Sequence, residues 1–253
     1  MPRLAQHLHR GRIAVFGAAT PPRLTGLSLW LRADLGIPFS VDPAVSAWAD
    51  QSGQGHHFAQ GTLINQPTLL PTGGPGGLPA LQFVYAIGQW LDGPVLSTLF
   101  TTTARTVYVV FRAASVLTAF PDATAYLNHA VVQDSIGDFG VTLRSTPEVL
   151  ASNFDGTNDV AASPLTVGAW TVHEHRLDSG TLYGRTHDSA EVSTASGATA
   201  GITGICRVGY GFTTVFDGRV AEVLMYNRAL TATERLQVRG YLSTRYGIAM
   251  VPP

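Results

Sequence analysis

The chain has 253 residues, of which 45% are hydrophobic and 13% charged, with a formal net charge of −1. Such a length supports a core that needs no disulfide or metal staple, and it fits one large all-β domain. The near-neutral charge argues against nucleic acid as a partner, and no apolar run approaches the ~20 residues of a membrane-spanning helix.

All 16 basic residues are arginine, which reads as codon bias rather than function. The single cysteine, Cys206, cannot form an internal disulfide, and its setting in Gly-Ile-Cys-Arg-Val-Gly suits a small buried hydrophobe.

Residues 1–25 read as a basic arm ahead of a domain spanning 26–253, either a docking arm onto an acidic neighbour or a loosely packed leader. They carry Arg3, Arg10, Arg12 and Arg23, and no acidic residue precedes Asp34. The run Ile13–Ala19 behind Arg10 and Arg12 has the outline of a signal peptide, at the short end for its apolar part, and is taken as part of the arm. Pro21-Pro22 marks the boundary.

Leu27–Leu31 reads as the first strand. In the stretch Val45–Phe58, Trp48 and Phe58 are core candidates. Asp50 and Ser52 suit local backbone bonding, and Gly53 and Gly55 permit positive φ. A Pro/Gly-rich loop over 71–79 leads into a strand at 78–83. Further strands are expected at 106–112, 139–143, 149–154, 170–177, 181–186 and 206–210. Asp155-Gly156 and Ser179-Gly180 are hairpin signals.

The last stretch, 217–248, is the most informative locally. Val220–Tyr226 is apolar except for Glu222 and predicts a strand. Thr231-Ala-Thr-Glu234 is a capping box opening a helix with Val238, Tyr241, Leu242 and Arg245 at helical spacing. Gly247 sits where a left-handed C-terminal cap belongs. Eleven to fourteen short strands and one short C-terminal helix predict an all-β fold: a two-sheet antiparallel jelly-roll sandwich, with an extended N-terminal arm.

Trp48-Ala-Asp-Gln-Ser-Gly-Gln-Gly resembles the W-x-D-x-S-G-x-G turn of LamG-like, concanavalin A-like lectin domains. Asn65-Gln-Pro-Thr, Gly77–Phe83 and Phe216–Leu230, with the capped helix ending Arg245-Tyr-Gly-Ile248, are similar to later parts of the same pattern, in order over about residues 27–249. The resemblance implies a carbohydrate-binding or adhesive module of the kind found in bacterial surface proteins and phage structural proteins, with sugar or calcium bound at the loop rim. Val84–Trp90 stands where many relatives carry an Asp-Gly turn, so no rim site is carried over.

Catalysis is not expected. Retaining glycosidases need two carboxyls about 5–5.5 Å apart, and none of the five glutamates lies in the E-x-D-x-x-E pattern of the glucanases that share this fold. No Gly-x-Ser-x-Gly elbow is present. His173-Glu174-His175 puts two imidazoles on one strand face, yet no third ligand is identifiable; a half-exposed face opposite Trp170 and Val172 explains it more simply. His56-His57 is weaker as a metal pair. No cofactor is expected; Asn153–Asp159 offers oxygen ligands of the kind calcium takes, but it lacks EF-hand spacing and Asp155-Gly156 alone explains it as a hairpin. Trp90, Tyr210 and Phe212, beside predicted loops, are the glycan-binding candidates, because an aromatic face stacks on the C–H face of a pyranose.

The expected function is a non-enzymatic structural and adhesive subunit on a particle surface: a phage virion component, homo-oligomeric, docked by its arm to other virion proteins and facing host-surface glycans. The alternative is a stand-alone bacterial carbohydrate-binding lectin module, cell-surface or secreted.

Overall fold

The computed structural model describes residues 20–38, 43–115, 129–134, 139–144, 148–154, 158–196, 204–210 and 215–251. In chain order the first strands are β1 (Leu27–Arg32), β2 (Ala47–Trp48), β3 (Phe58–Ala59), β4 (Thr68–Leu70), β5 (Ala80–Phe83) and β6 (Leu91–Val95). A four-residue helix α1 (Leu96–Leu99) leads to β7 (Arg105–Ala113), β8 (His129–Asp134), β9 (Phe139–Arg144), β10 (Glu148–Phe154) and β11 (Asn158–Pro164). Then come β12 (Trp170–Asp178), β13 (Thr181–Thr186), β14 (Val192–Ala195), β15 (Ile205–Val208), β16 (Gly218–Tyr226) and α2 (Ala232–Tyr246).

These strands form two antiparallel sheets. Sheet A runs β14-β13-β12-β7-β16-β5-β4, with β1 also paired to β16; sheet B runs β11-β10-β9-β8-β15-β6-β3-β2. One edge of β16 is shared: β5 pairs with Gly218–Val220, and β1 pairs with Glu222–Tyr226 beyond an irregularity between Val220 and Glu222. The fold is the expected two-sheet antiparallel sandwich with a C-terminal helix.

The period-2 alternation of β7 explains its central place. Val107, Val109 and Phe111 enter the core between the sheets, while Tyr108 and Val110 join a second apolar cluster beneath α2. Sheet A is therefore covered on both faces, giving three layers: sheet B, sheet A and the helix. That arrangement corrects the reading of His173 and His175 as a half-exposed face. Both are fully buried, pointing between the sheets, while Val172 and Glu174 on the other face lie under α2.

The helix ends as its caps predict. Thr231 Oγ1 accepts from the Glu234 N–H at 3.3 Å, the Thr231 N–H donates to Glu234 Oε2 at 2.9 Å, and Gly247 takes φ 64°. Ser179 and Gly180, at φ 48° and 76°, form the β12–β13 turn. The Asp155-Gly156 turn lies outside the described residues, but the strands it joins are paired from Phe154↔Asn158 outward.

The Trp48–Gly55 turn is a carboxylate clamp. Asp50 accepts from the Trp30 N–H (2.9 Å), the Ser52 N–H (2.8 Å), the Ser52 hydroxyl (2.7 Å) and the His56 N–H (3.1 Å), fastening the turn to β1. Although burial opposes it, these donors hold the Asp50 carboxyl below its ordinary range.

Residues 1–19 of the predicted arm lie outside the described residues. Its end lies on the sandwich: Pro21 is buried, Leu24 packs against the cluster beneath α2, and Arg228 Nε donates to the Thr25 carbonyl at 2.9 Å.

Candidate functional site

Two of the three glycan-binding candidates meet on the outer side of sheet B. Trp90 and Tyr210 are 120 positions apart, and their rings lie with centroids 5.4 Å apart, tilted by 40°. Sheet pairing creates this proximity. Trp90 leads directly into β6, and β6 pairs with β15, after which Tyr210 follows.

Both backbones are fixed. The Trp90 N–H donates to the Asn65 carbonyl at 3.1 Å, and the Trp90 carbonyl accepts from Gln60 Nε2 at 3.3 Å. On the other side Gly209 takes φ 89°, and a Cβ there would meet the Phe83 ring at 2.3 Å. Only glycine lets the chain pass so close over Phe83 and present Tyr210.

A polar pair completes the cluster. Leu91 and Val208 point into the core, so their neighbours Asp92 and Arg207 point outward, directly opposite one another. Arg207 Nε donates to Asp92 Oδ1 at 2.6 Å, and Trp90 Nε1 donates to Asp92 Oδ2 at 3.2 Å. The Arg207 guanidinium lies over the Tyr210 ring, 5.2 Å from its centroid. Asp92 and Arg207 keep 43% and 22% of their side chains exposed, and both rings are half-buried.

Such an arrangement offers a fixed aromatic surface beside one acceptor and one donor. A pyranose presents an apolar C–H face together with hydroxyls that both donate and accept. Asp92 and Arg207 are already oriented by each other, so little side-chain freedom remains to be lost on binding.

The third candidate, Phe212, lies outside the described residues. So do residues 155–157 of the calcium candidate, and among the described residues no group of three His, Cys, Asp or Glu is placed to hold a metal. His57 and His56 act in the Asp50 turn: His57 Nδ1 accepts from the Asp50 N–H at 3.0 Å, and His56 Nδ1 lies 2.6 Å from the Ser28 carbonyl. Burial pushes the His173 imidazole down to about 3, and burial with the nearby Arg105 charge pushes His175 well below its ordinary value. Neutral imidazoles in a closed core are not a solvent-reachable metal site.

Sequence reasoning missed Asp92 and Arg207. The only signal was the alternation of Leu91-Asp92 and Arg207-Val208, which places charges on an outer face without showing that the faces coincide.

No family model and no curated protein matches the chain. Solved structures do. Domain 4 of AbnA, a GH43 extracellular arabinanase from Geobacillus stearothermophilus, in complex with arabinotriose, is 15% identical at TM-score 0.52, over 85% of this chain and 97% of that one. Trypanosoma rangeli sialidase is 11% identical at TM-score 0.59, over 87% and 33%. The botulinum neurotoxin type G receptor binding domain is 10% identical at TM-score 0.59, over 86% and 51%. The chain thus spans nearly all of the arabinanase domain, a third of the sialidase and half of the toxin domain. At these identities the likeness is one of fold, a β-sandwich.

Proposed function

We propose that this chain is a non-catalytic carbohydrate-binding sandwich of the LamG-like, lectin kind, and that Trp90, Tyr210, Asp92 and Arg207 form its saccharide surface. The observation that carries this reading is the Trp90–Tyr210 contact beside the Asp92–Arg207 pair. A ring stacks on the sugar, Asp92 accepts from a sugar hydroxyl, and Arg207 donates to another. Support comes also from the fold shared with the arabinanase domain that was solved with arabinotriose. The two carboxylates under α2, Glu174 and Glu222, are occupied by Arg235 and Arg239 and by three side-chain donors respectively, which favours a binding role over hydrolysis.

The test is a binding survey of the purified chain against immobilised neutral oligosaccharides, arabinan fragments included, repeated with Trp90→Ala. Saturable binding that is lost in the variant is the expected result. Binding unchanged in Trp90→Ala, or none across the panel, overturns the reading.

The basic N-terminal stretch favours a second role, in which the sandwich is displayed on a particle, a phage virion, and held there by its arm. Removing residues 1–19 then abolishes incorporation into the particle while leaving sugar binding intact.

A further inference from the structure

The outer face of sheet A carries a second polar surface that the cluster on sheet B does not involve. Beyond the end covered by α2, register places Gln82 of β5, Arg219 of β16, Arg112 of β7 and Trp170 of β12 directly opposite one another in a single row. Their chain neighbours Leu81, Phe83, Val220, Phe111 and Ala113 belong to the core between the sheets, so the row itself faces outward.

The centre of this row is unusual. Like charges directly opposite on paired strands are destabilising, and Arg219 stands directly opposite Arg112. Neither is neutralised: among the described residues, no carboxylate pairs with Arg112 or Arg219. Each is instead anchored by a loop carbonyl, Arg112 Nε by Gly168 at 2.6 Å and Arg219 Nη1 by Gly73 at 3.0 Å. The anchors fix the guanidinium groups and leave Nη1 and Nη2 of Arg112 and Nε and Nη2 of Arg219 with donors to spare. Gln82, Arg112, Asp217 and Arg219 line one open pocket of about 200 Å³. Asp217 is held by the Ser115 hydroxyl at 2.8 Å and keeps Oδ1 as an acceptor.

We infer that this pocket binds the carboxylate of an acidic sugar residue, with Arg112 and Arg219 clamping the carboxylate and Asp217 accepting from an adjacent hydroxyl. Two arginines and one aspartate leave a single positive charge among the lining residues, which matches a monoanion better than a doubly charged phosphate ester. Paired guanidinium forks suit the planar carboxylate, to which they donate charge-assisted bonds. Gln82 supplies an amide to a further hydroxyl, and Trp170, opposite Arg112, offers an apolar flank to the next sugar unit.

The experiment is NMR titration of the arginine Nε–Hε signals of the whole chain, assigned by Arg112→Gln and Arg219→Gln. The probes are a glucuronate-terminated oligosaccharide, its neutral glucose-terminated counterpart, inorganic phosphate and inorganic sulfate. Saturable shifts of the Arg112 and Arg219 signals with the glucuronate compound alone are expected, weakened roughly ten-fold or more in either variant and weakened by salt. The same shifts should persist in Trp90→Ala, which separates this pocket from the surface on sheet B. Equal response to the neutral sugar, equal or tighter binding of phosphate or sulfate, or no response to any probe overturns the assignment. Circular dichroism confirms that both glutamine variants fold; where one does not, the lysine variant at that position, which also lacks the arginine Nε–Hε, assigns the signal in its place.

Discussion

Trp30 on β1 donates its indole N–H to the carboxylate of Glu222 on β16 at 2.7 Å, reaching diagonally across the paired strands beneath α2. The Tyr241 and Tyr246 hydroxyls of the helix donate to the same carboxylate, each at 2.7 Å. Glu222, the one charge in the apolar run Val220–Tyr226, is thus the point at which sheet and helix are joined. Glu222 is fully buried, so Glu222→Ala strands three donors and is expected to cost about 3 kcal/mol or more. Burial, the largest influence, raises the Glu222 carboxyl above its ordinary range. A raised acid binds its proton more tightly in the folded chain, so its contribution to stability falls as pH rises through 4.5 towards the folded value. Glu222→Gln removes that dependence. Urea denaturation should show the wild-type advantage over Glu222→Gln shrinking as pH rises from 4 to 7; a growing advantage would refute the buried, proton-favouring setting.

The helix start responds in the opposite sense. A hydrogen bond from Arg228, then the Thr231 N–H, hold the Glu234 carboxyl down to about 2. A lowered acid contributes stability above its unfolded value of 4.5 and loses it as pH falls towards 2. Glu234→Gln keeps the reach back to Thr231 but loses the charge pair, so it should flatten this acid limb of a melting-temperature profile. The pair is near solvent, so the loss at pH 7 should not exceed about 1 kcal/mol. Thr231→Ala removes the cap itself and should cost about 1 kcal/mol at any pH.

These two glutamates show what could be read from the chain. Glu234 stands three residues after Thr231, a local pattern, and the helix and its caps followed from it. Glu222 was visible as an exception in a strand, but its partners lie 192, 19 and 24 positions away, fixed by register and helix docking. The same limit applies to the candidate sites. Trp90 and Tyr210 were each legible as aromatics beside loops, while their contact, and the Arg112–Arg219 opposition, depend on which strands become neighbours. Short strands such as β6, with Gly93 and Pro94 inside it, and β4 gave no usable period; pairing with longer strands makes them. The His173/His175 face was misjudged because alternation does not reveal that sheet A is covered on both sides.

That buried face gives a sharp pH prediction. Among the described residues neither ring nitrogen of His173 makes a hydrogen bond, and the Arg185 backbone offsets its burial only in part. A base whose folded value drops from 6.5 to about 3 is protonated first in the unfolded chain, so stability is lost as pH falls below 6.5. His173→Leu, apolar and similar in size, should be neutral or stabilising at pH 7 and should lose less stability between pH 7 and 5 than the wild type. His175→Leu differs, because His175 Nε2 accepts from Arg105 Nε at 3.3 Å. Removing one acceptor from a buried guanidinium should cost about 1–3 kcal/mol at pH 7. Equal effects of the two substitutions in chemical denaturation would show that the two rings are not in different settings.

On sheet B, stability and binding should separate. The Asp92–Arg207 pair is partly exposed, and exposed pairs contribute about 0–1 kcal/mol, so Arg207→Ala should leave the melting temperature nearly unchanged. If Arg207 donates to a sugar, the same substitution should weaken saccharide binding several-fold. Tyr210→Phe keeps the ring over which the guanidinium lies and the face that meets Trp90. It should therefore retain most of the affinity, whereas Tyr210→Ala, which removes the ring, should lose it. Calorimetric titration of the three variants with one saccharide from the survey gives the ranking. Tyr210→Phe falling to the level of Tyr210→Ala would assign the contribution to the hydroxyl, and the stacking account of this surface would then have to be abandoned.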